Sequence, residues 1–209
     1  MNNVETLANV LDILVAGGAA WAQTGTPAST GTRLFCVSGQ VTTPGLYELP
    51  FGRTLGELVT LAGGVAGGRP LQAVLLGGAA GMFVGPESLD LKLTFEDARA
   101  ASLTLGSGVV MVFDDTAELP DVLERIAAFF ADESCGQCVP CRVGTVRQRE
   151  LLGQVRAAGG TMTPDRLLLL SELGQAMRDA SICGLGQTAS SAIESAVQHL
   201  PVFRTERAS

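Results

Sequence analysis

The stretch Glu133–Thr145, ESCGQCVPCRVGT, constrains the fold more than any other part of the chain. Cys135, Cys138 and Cys141 follow one another at C-x2-C-x2-C spacing, and a fourth cysteine, Cys183, stands far downstream in SICGLGQT. Three thiolates this close in sequence meet at one point only where the backbone curls tightly around it. Gly136 permits that curl, and Pro140 stiffens it just before the last thiol. Three ligands from one loop and a fourth from elsewhere is how a single cubane iron–sulfur cluster is held. Zinc is the weaker reading, because its sites usually come as two separated pairs, whereas here two pairs share Cys138. A two-iron cluster also takes four cysteines and stays open as an alternative, as do free or bridged thiols. No further cysteine and proline follow closely on Cys141, so one cluster is expected, not two. With four thiolates filling the ligand positions, no iron site is left open, which points to electron transfer and not to substrate chemistry at the metal.

Composition sets wider bounds. The 209 residues suffice for one or two domains with real cores, and 46% hydrophobic residues fit a soluble globular chain. A net charge of −7 without a basic arm argues against nucleic acid as a partner. Cys36, in the apolar run Leu34-Phe35-Cys36-Val37, reads as a small buried core residue. The apolar run from Leu7 to Ala22 is interrupted by Asp12 and is too short to span a bilayer. It is preceded by Glu5 and by no Lys or Arg, so it is not a signal peptide. The expected location is the cytoplasm, including the inner face of the membrane through a complex, with no direct membrane insertion.

Periodicity divides the chain. Residues 1–32 hold a helix from Glu5 to about Ala16, with Leu7, Val10, Leu11 and Leu14 at helical spacing, and then a loop from Gly25 to Gly31. Residues 33–115 begin with a hairpin: Arg33–Val41, a turn at Thr42-Thr43-Pro44-Gly45, and Leu46–Leu49. Thr54 and Glu57 make a capping box for a helix whose Leu55, Leu58, Val59 and Ala62 face inward and which Gly63-Gly64 stops. A strand at Gln72–Leu76, a short helix at Thr94–Ala101 and a buried strand at Val109–Phe113 complete the pattern of a small β-grasp domain. Gly77-Gly78-x-x-Gly81 follows a strand but opens no helix, and neither G-x-G-x-x-G nor a P-loop is present, so it reads as a tight turn and not as a phosphate cradle.

Residues 116–209 read as helical. Pro120 fits the first turn of a helix through Phe130, with Val122, Leu123, Ile126, Phe129 and Phe130 inward. A second helix opens at Cys141 and runs to about Ala157. A third starts at Thr163-Pro164, with the stripe Leu169, Leu170, Leu173, Ala176, Met177 and Ala180. A fourth, capped by Thr188, turns Ala189, Ala192, Ile193, Ala196, Val197 and Leu200 inward. The fold class is therefore α+β: a small β-grasp domain followed by a four-helix bundle carrying an iron–sulfur cluster. Both cysteine segments fall at helix ends, at the same end of the bundle. There the amides at a helix start, and Arg142 beside them, would stabilise a negative cluster; the plainer role for Arg142 is a surface salt bridge. No other catalytic constellation is visible. His199, the one histidine, reads as a solvated or packed side chain.

Taken together, ESCGQCVPCRVGT, SICGLGQTA and NNVETLANV resemble the NADH-oxidising flavoprotein subunit of respiratory complex I. They equally resemble its relatives, the beta subunit of NAD-linked formate dehydrogenases and the diaphorase of NAD-reducing hydrogenases. The resemblance covers the whole chain and implies a β-grasp domain of the soluble ligand-binding type followed by the iron–sulfur bundle. It implies one [4Fe–4S] cluster on Cys135, Cys138, Cys141 and Cys183, taking electrons from FMN after hydride transfer from NADH, and it places Asn2 and Asn3 beside the flavin. In that family a glycine-rich FMN- and NADH-binding domain precedes NNVET, the motif at which this chain begins. The resemblance thus implies the electron-relay portion of an NADH dehydrogenase-type oxidoreductase, without NADH or FMN sites of its own. The implied partners are an FMN/NADH-binding domain or subunit, a thioredoxin-like [2Fe–2S] subunit and a downstream iron–sulfur subunit. The alternative is a docking or structural module in which a cluster, or zinc, only staples the helices.

Overall fold

The computed structural model describes residues 2–205. The N-terminal segment forms α1 (Val4–Ala16) and the single turn α2 (Gly18–Trp21). A hairpin of β1 (Thr32–Gly39) and β2 (Gly45–Pro50) leads to α3 (Leu55–Leu61), followed by β3 (Leu71–Leu76), β4 (Met82–Val84), α4 (Phe95–Ala100) and β5 (Val109–Asp114). The chain then becomes helical: α5 (Leu119–Glu133), α6 (Val139–Ala157), α7 (Pro164–Ala180), α8 (Gly184–Thr188) and α9 (Ser191–His199). Two short strands, β6 (Thr161–Met162) and β7 (Arg204–Thr205), pair beside them. The α+β class expected from the pattern is the class observed. No described helix is long and apolar enough to cross a membrane.

The five main strands form one sheet in the order β2-β1-β5-β3-β4, with β1 and β5 parallel and the other neighbours antiparallel. Alternation along the strands buries both faces of its centre. Val74 and Leu76 join Phe35, Val37, Val110 and Val112 in a core closed by Leu55 and Leu58 of α3. Ala73, Leu75, Phe83 and Phe113 point the other way, into a core shared with Leu123, Ile126, Phe130 and Ile193. The C-terminal helices are thus laid directly on the sheet. One polar contact marks the join: the Phe83 amide donates to Ser195 Oγ at 2.9 Å, and both residues are buried.

Several local expectations hold to the residue. Thr54 and Glu57 complete both hydrogen bonds of the capping box on α3, and Gly63 and Gly64 end it with positive φ of 80° and 72°. The short helix expected at Thr94–Ala101 is α4, with Thr94 as its N-cap, accepting the Asp97 amide, and Ala101 as its C-cap. Others need correction. Strand β4 has only three residues, too few to show a period, and Gly81 makes its hairpin: a Cβ there would run into the Leu76 carbonyl. Cys36 is exposed, because β1 alternates and the helices do not reach the outer face of the β1–β2 edge. Phe129 is 47% exposed, one position off the buried stripe of α5. In α7 only Leu170, Gly174 and Met177 are buried; Leu169, Ala176 and Ala180 are exposed, so the burying stripe is narrower than its apolar residues suggested. Thr188 ends α8 instead of capping the next helix, and its hydroxyl donates back to the Gly184 carbonyl.

The N-terminal segment is tied to the sheet by its polar groups. Glu5 accepts the Leu34 amide at 2.8 Å, and Glu96 of α4 accepts the Thr26 hydroxyl at 2.6 Å. The apolar side chains of α1 stay uncovered: Val4, Leu7, Leu11, Leu14 and Val15 are all more than half exposed.

Candidate metal centre

Each of the four candidate cysteines stands where a helix begins or has just ended. Helix α5 stops at Glu133 and Ser134 leaves it with extended backbone, so Cys135 begins the crossing. Gly136 turns the chain with φ of 74°, the left-handed conformation that glycine adopts without strain. Cys138 is the N-cap of α6, with extended backbone, and Pro140 follows in the first turn, where a missing amide costs nothing. The helix therefore opens at Val139, not at Cys141; Cys141 lies on its third position and is 5% exposed. Across from it, α7 ends at Ala180, and Cys183 is the N-cap of α8 with extended backbone. The ends meet as the pattern of helices predicted.

Contacts link the two segments directly. The Cys138 thiol is held below its ordinary pKa, chiefly by the Ile182 amide of the opposite segment. The Cys141 amide adds to the effect against the cost of burial. The Ser181 side chain contributes in the same direction, although its buried hydroxyl completes no hydrogen bond of its own. Cys141 Sγ lies 3.3 Å from Ser134 Oγ, which also accepts the Gly136 amide. Gly186 of α8 rests against Cys141, where an added Cβ would stand 2.8 Å from the cysteine Cβ. Arg142 makes none of the ion pairs found among the described residues. Its guanidinium donates to the Gly136 carbonyl at 2.9 Å and so braces the loop between the first two cysteines.

The structure therefore brings Cys138 and Cys141 together with the segment Ser181–Gly186 that bears Cys183. Cys135 and Cys183 are exposed, and among the described residues no three His, Cys, Asp or Glu side chains already stand as a metal-holding group. Asn3 is engaged locally: its Oδ1 accepts the amides of Glu5 and Thr6 at 2.9 and 3.2 Å as the N-cap of α1. Asn2 is exposed. His199 is exposed and lies at the far end of α9. The sequence pattern does not announce the contributions of Ser134, Ser181 and Gly186. The G-L-G after Cys183 is the one available hint of a close approach.

Comparison with known proteins agrees with this organisation. Residues 121–206 match the NADH-ubiquinone oxidoreductase-F iron-sulfur binding region, and residues 34–78 match the SLBB domain. The chain is 40% identical over 207 residues to the NADH-quinone oxidoreductase F-subunit 2 of Rhizobium meliloti, covering 99% of the chain and 48% of that protein. It is 36% identical over 190 residues to the NADP-reducing hydrogenase subunit HndC of Solidesulfovibrio fructosivorans, covering 90% of the chain and 38% of that protein. Among solved structures, an NAD+-reducing [NiFe]-hydrogenase in the H2-reduced state superposes with a TM-score of 0.84 at 40% identity, covering 95% of the chain and 33% of that structure's chain. The chain thus spans less than half the length of these relatives.

Proposed function

We propose that this chain, which belongs through its two matched domains to the C-terminal part of the NADH-quinone oxidoreductase F-subunit family, is the electron-relay portion of an NADH:acceptor oxidoreductase. In this reading electrons arrive from FMN on an FMN/NADH-binding domain or subunit and leave for a thioredoxin-like [2Fe–2S] subunit or a downstream iron–sulfur subunit. The sheet is a β-grasp domain of the soluble ligand-binding type, over residues 33–115. Helices α5, α6, α7 and α9 form a four-helix bundle over the domain 116–209, of which residues 206–209 lie outside the described residues, and residues 1–32 join it to the FMN side. Asn2 and Asn3 would face the flavin there, Asn3 giving up or sharing its capping role.

One observation carries the reading: Gly186 of α8 rests so close to Cys141 that an added Cβ would stand 2.8 Å from the cysteine Cβ, which sets the Cys183 segment against the three-cysteine loop. The donor set suits a [4Fe–4S] cluster, being four thiols with two already in contact with the opposite segment. A bound cluster supplies reversible storage of single electrons. The protein supplies the rest. Amides of Ile182 and Cys141 favour the thiolate of Cys138, which stands at the positive end of α6. The same groups favour the more negative, reduced state. Exposed Cys135 and Cys183, flanked by exposed Val139 and Ile182, open the site on a surface where a redox partner can approach.

A redox titration of the anaerobically reconstituted chain, followed by EPR, tests this function. The reading predicts repeated reduction and reoxidation with no loss of iron. Iron lost on the first cycle supports the rival, a cluster or zinc ion that only staples the helices.

A further inference from the structure

The segment from Ser181 to Ser190 carries Cys183, and its exit is tied back to α7 and to α6 by polar side chains that no part of the site described above uses. At its entry, Arg178 in the last turn of α7 reaches across the segment. Its Nη1 donates to Ser190 Oγ at 3.1 Å and to the carboxylate of Glu194. Ser190 stands at the N-cap of α9, a place where serine normally accepts a backbone amide, yet it caps nothing there; its hydroxyl is given to Arg178. Gly174, one turn earlier on α7, leaves the room this needs, since a Cβ there would stand 2.8 Å from Ser190 Oγ. From the other side, buried Gln148 of α6 donates to the Ala189 carbonyl at 3.1 Å. Gln148 lies two turns beyond Cys141 on the same helix, so one rigid element connects both thiol segments.

As a source of stability this cluster is poor. Arg178 and Glu194 are only partly exposed, at 36% and 24%, and Glu194 Oε1 is buried with no partner. Ion pairs in such places are commonly no better for stability than well-packed apolar side chains, but they fix a geometry. We propose that Arg178, Ser190 and Glu194 are positioning residues for the fourth cysteine: they tie the exit of 181–190 back to the last turn of α7, from which the segment starts, and thereby fix where Cys183 stands relative to Cys138 and Cys141. The inference rests on the cluster reading given under Proposed function.

The test compares the parent chain with Arg178→Met/Glu194→Leu, Arg178→Lys and Ser190→Ala after anaerobic reconstitution. Three quantities are read: the rate of iron release to a chelator, the EPR line shape of the reduced protein, and the melting of the metal-free chain. The double variant removes both charges together, so it leaves no unpaired ion to unfold the protein. It should melt near the parent yet release iron about tenfold faster, the scale seen when groups behind a metal's ligands are removed, with a broadened EPR signal. Arg178→Lys, keeping the charge but not the fork, should fall between. If the double variant does not fold, Ser190→Ala decides, because it deletes one contact and no charge; it should accelerate release in the same direction. Release at the parental rate from a folded double variant, or from Ser190→Ala in its place, overturns the clamp. A parent chain that takes up no iron and sulfide overturns the cluster reading, and the clamp with it.

Discussion

Gly186 lies so close to Cys141 that a side chain at 186 would stand 2.8 Å from the cysteine Cβ and 2.6 Å from that of Ser181. Helix α8 can therefore approach the start of α6 only with glycine at this place. Gly186→Ala must push the Cys183 segment away from Cys141. We expect it to destabilise the chain by about 1–3 kcal/mol, the range for overpacking a tight contact. It should also lower iron content after reconstitution more than that loss of stability explains. Chemical denaturation of the metal-free protein and iron analysis of the loaded one measure the two effects separately.

The sheet and the helices should unfold together. Ser195 Oγ accepts the Phe83 amide and donates to the Ala192 carbonyl at 3.0 Å, with the residue 1% exposed. Ser195→Ala leaves the buried Phe83 amide without a partner, at a cost of about 1–3 kcal/mol. Urea unfolding should show one transition displaced to a lower midpoint, because Phe83 and Phe113 belong to the same core as Leu123 and Ile193. Two separated transitions would mean that the shared core does not couple the two halves.

Acid should weaken the fold partly through Asp114. Its carboxylate is held below the usual range first by the Thr116 hydroxyl, then by the Thr116 amide and by Arg69, against the opposing effect of burial. A depressed pKa means that the unfolded chain binds the proton more readily than the folded one. The stabilisation is then complete above the unfolded carboxylate pKa of about 3.9 and is lost as pH falls through the lower folded value. Asp114→Asn should flatten that acid limb of the stability profile while leaving its slope near neutrality unchanged. A variant whose acid limb is as steep as the parent's would remove Asp114 from the account.

Cys183→Ser should separate metal binding from folding. Its side chain is exposed and belongs to neither apolar core, so the metal-free variant should melt within about 0.5 kcal/mol of the parent, as surface changes usually do. After reconstitution it should hold its cluster weakly and bleach quickly in air. Visible absorbance over time gives the comparison.

Where the signal is local, the sequence suffices. The capping box at Thr54 and Glu57 and the glycine stop after Ala62 each depend on neighbours within a few residues, and each is found as read. The meeting of the two cysteine segments follows from helix order alone. What escapes depends on distant partners. Whether Cys36 is covered depends on how far α5 and α9 extend over the sheet, which no residue near Cys36 encodes. Leu169, Ala176 and Ala180 carry an apolar period, but α6 and α9 reach only the Leu170–Met177 side of α7. The cysteine run looks like loop to its end, which puts the start of α6 at Cys141; Pro140, well suited to a first turn, moves the boundary back to Val139. Asn3 carries a plain capping signal that the flavin resemblance overshadows.

The central claim is that the loop Cys135–Cys141 and the segment of Cys183 enclose one redox-active cluster. Iron, acid-labile sulfide and zinc should be measured together on the anaerobically reconstituted chain, with EPR after dithionite reduction. The account predicts about four irons and about four sulfides per chain, no zinc, and a signal from a single reduced cluster. A stable chain carrying one zinc ion and neither iron nor sulfide would contradict it.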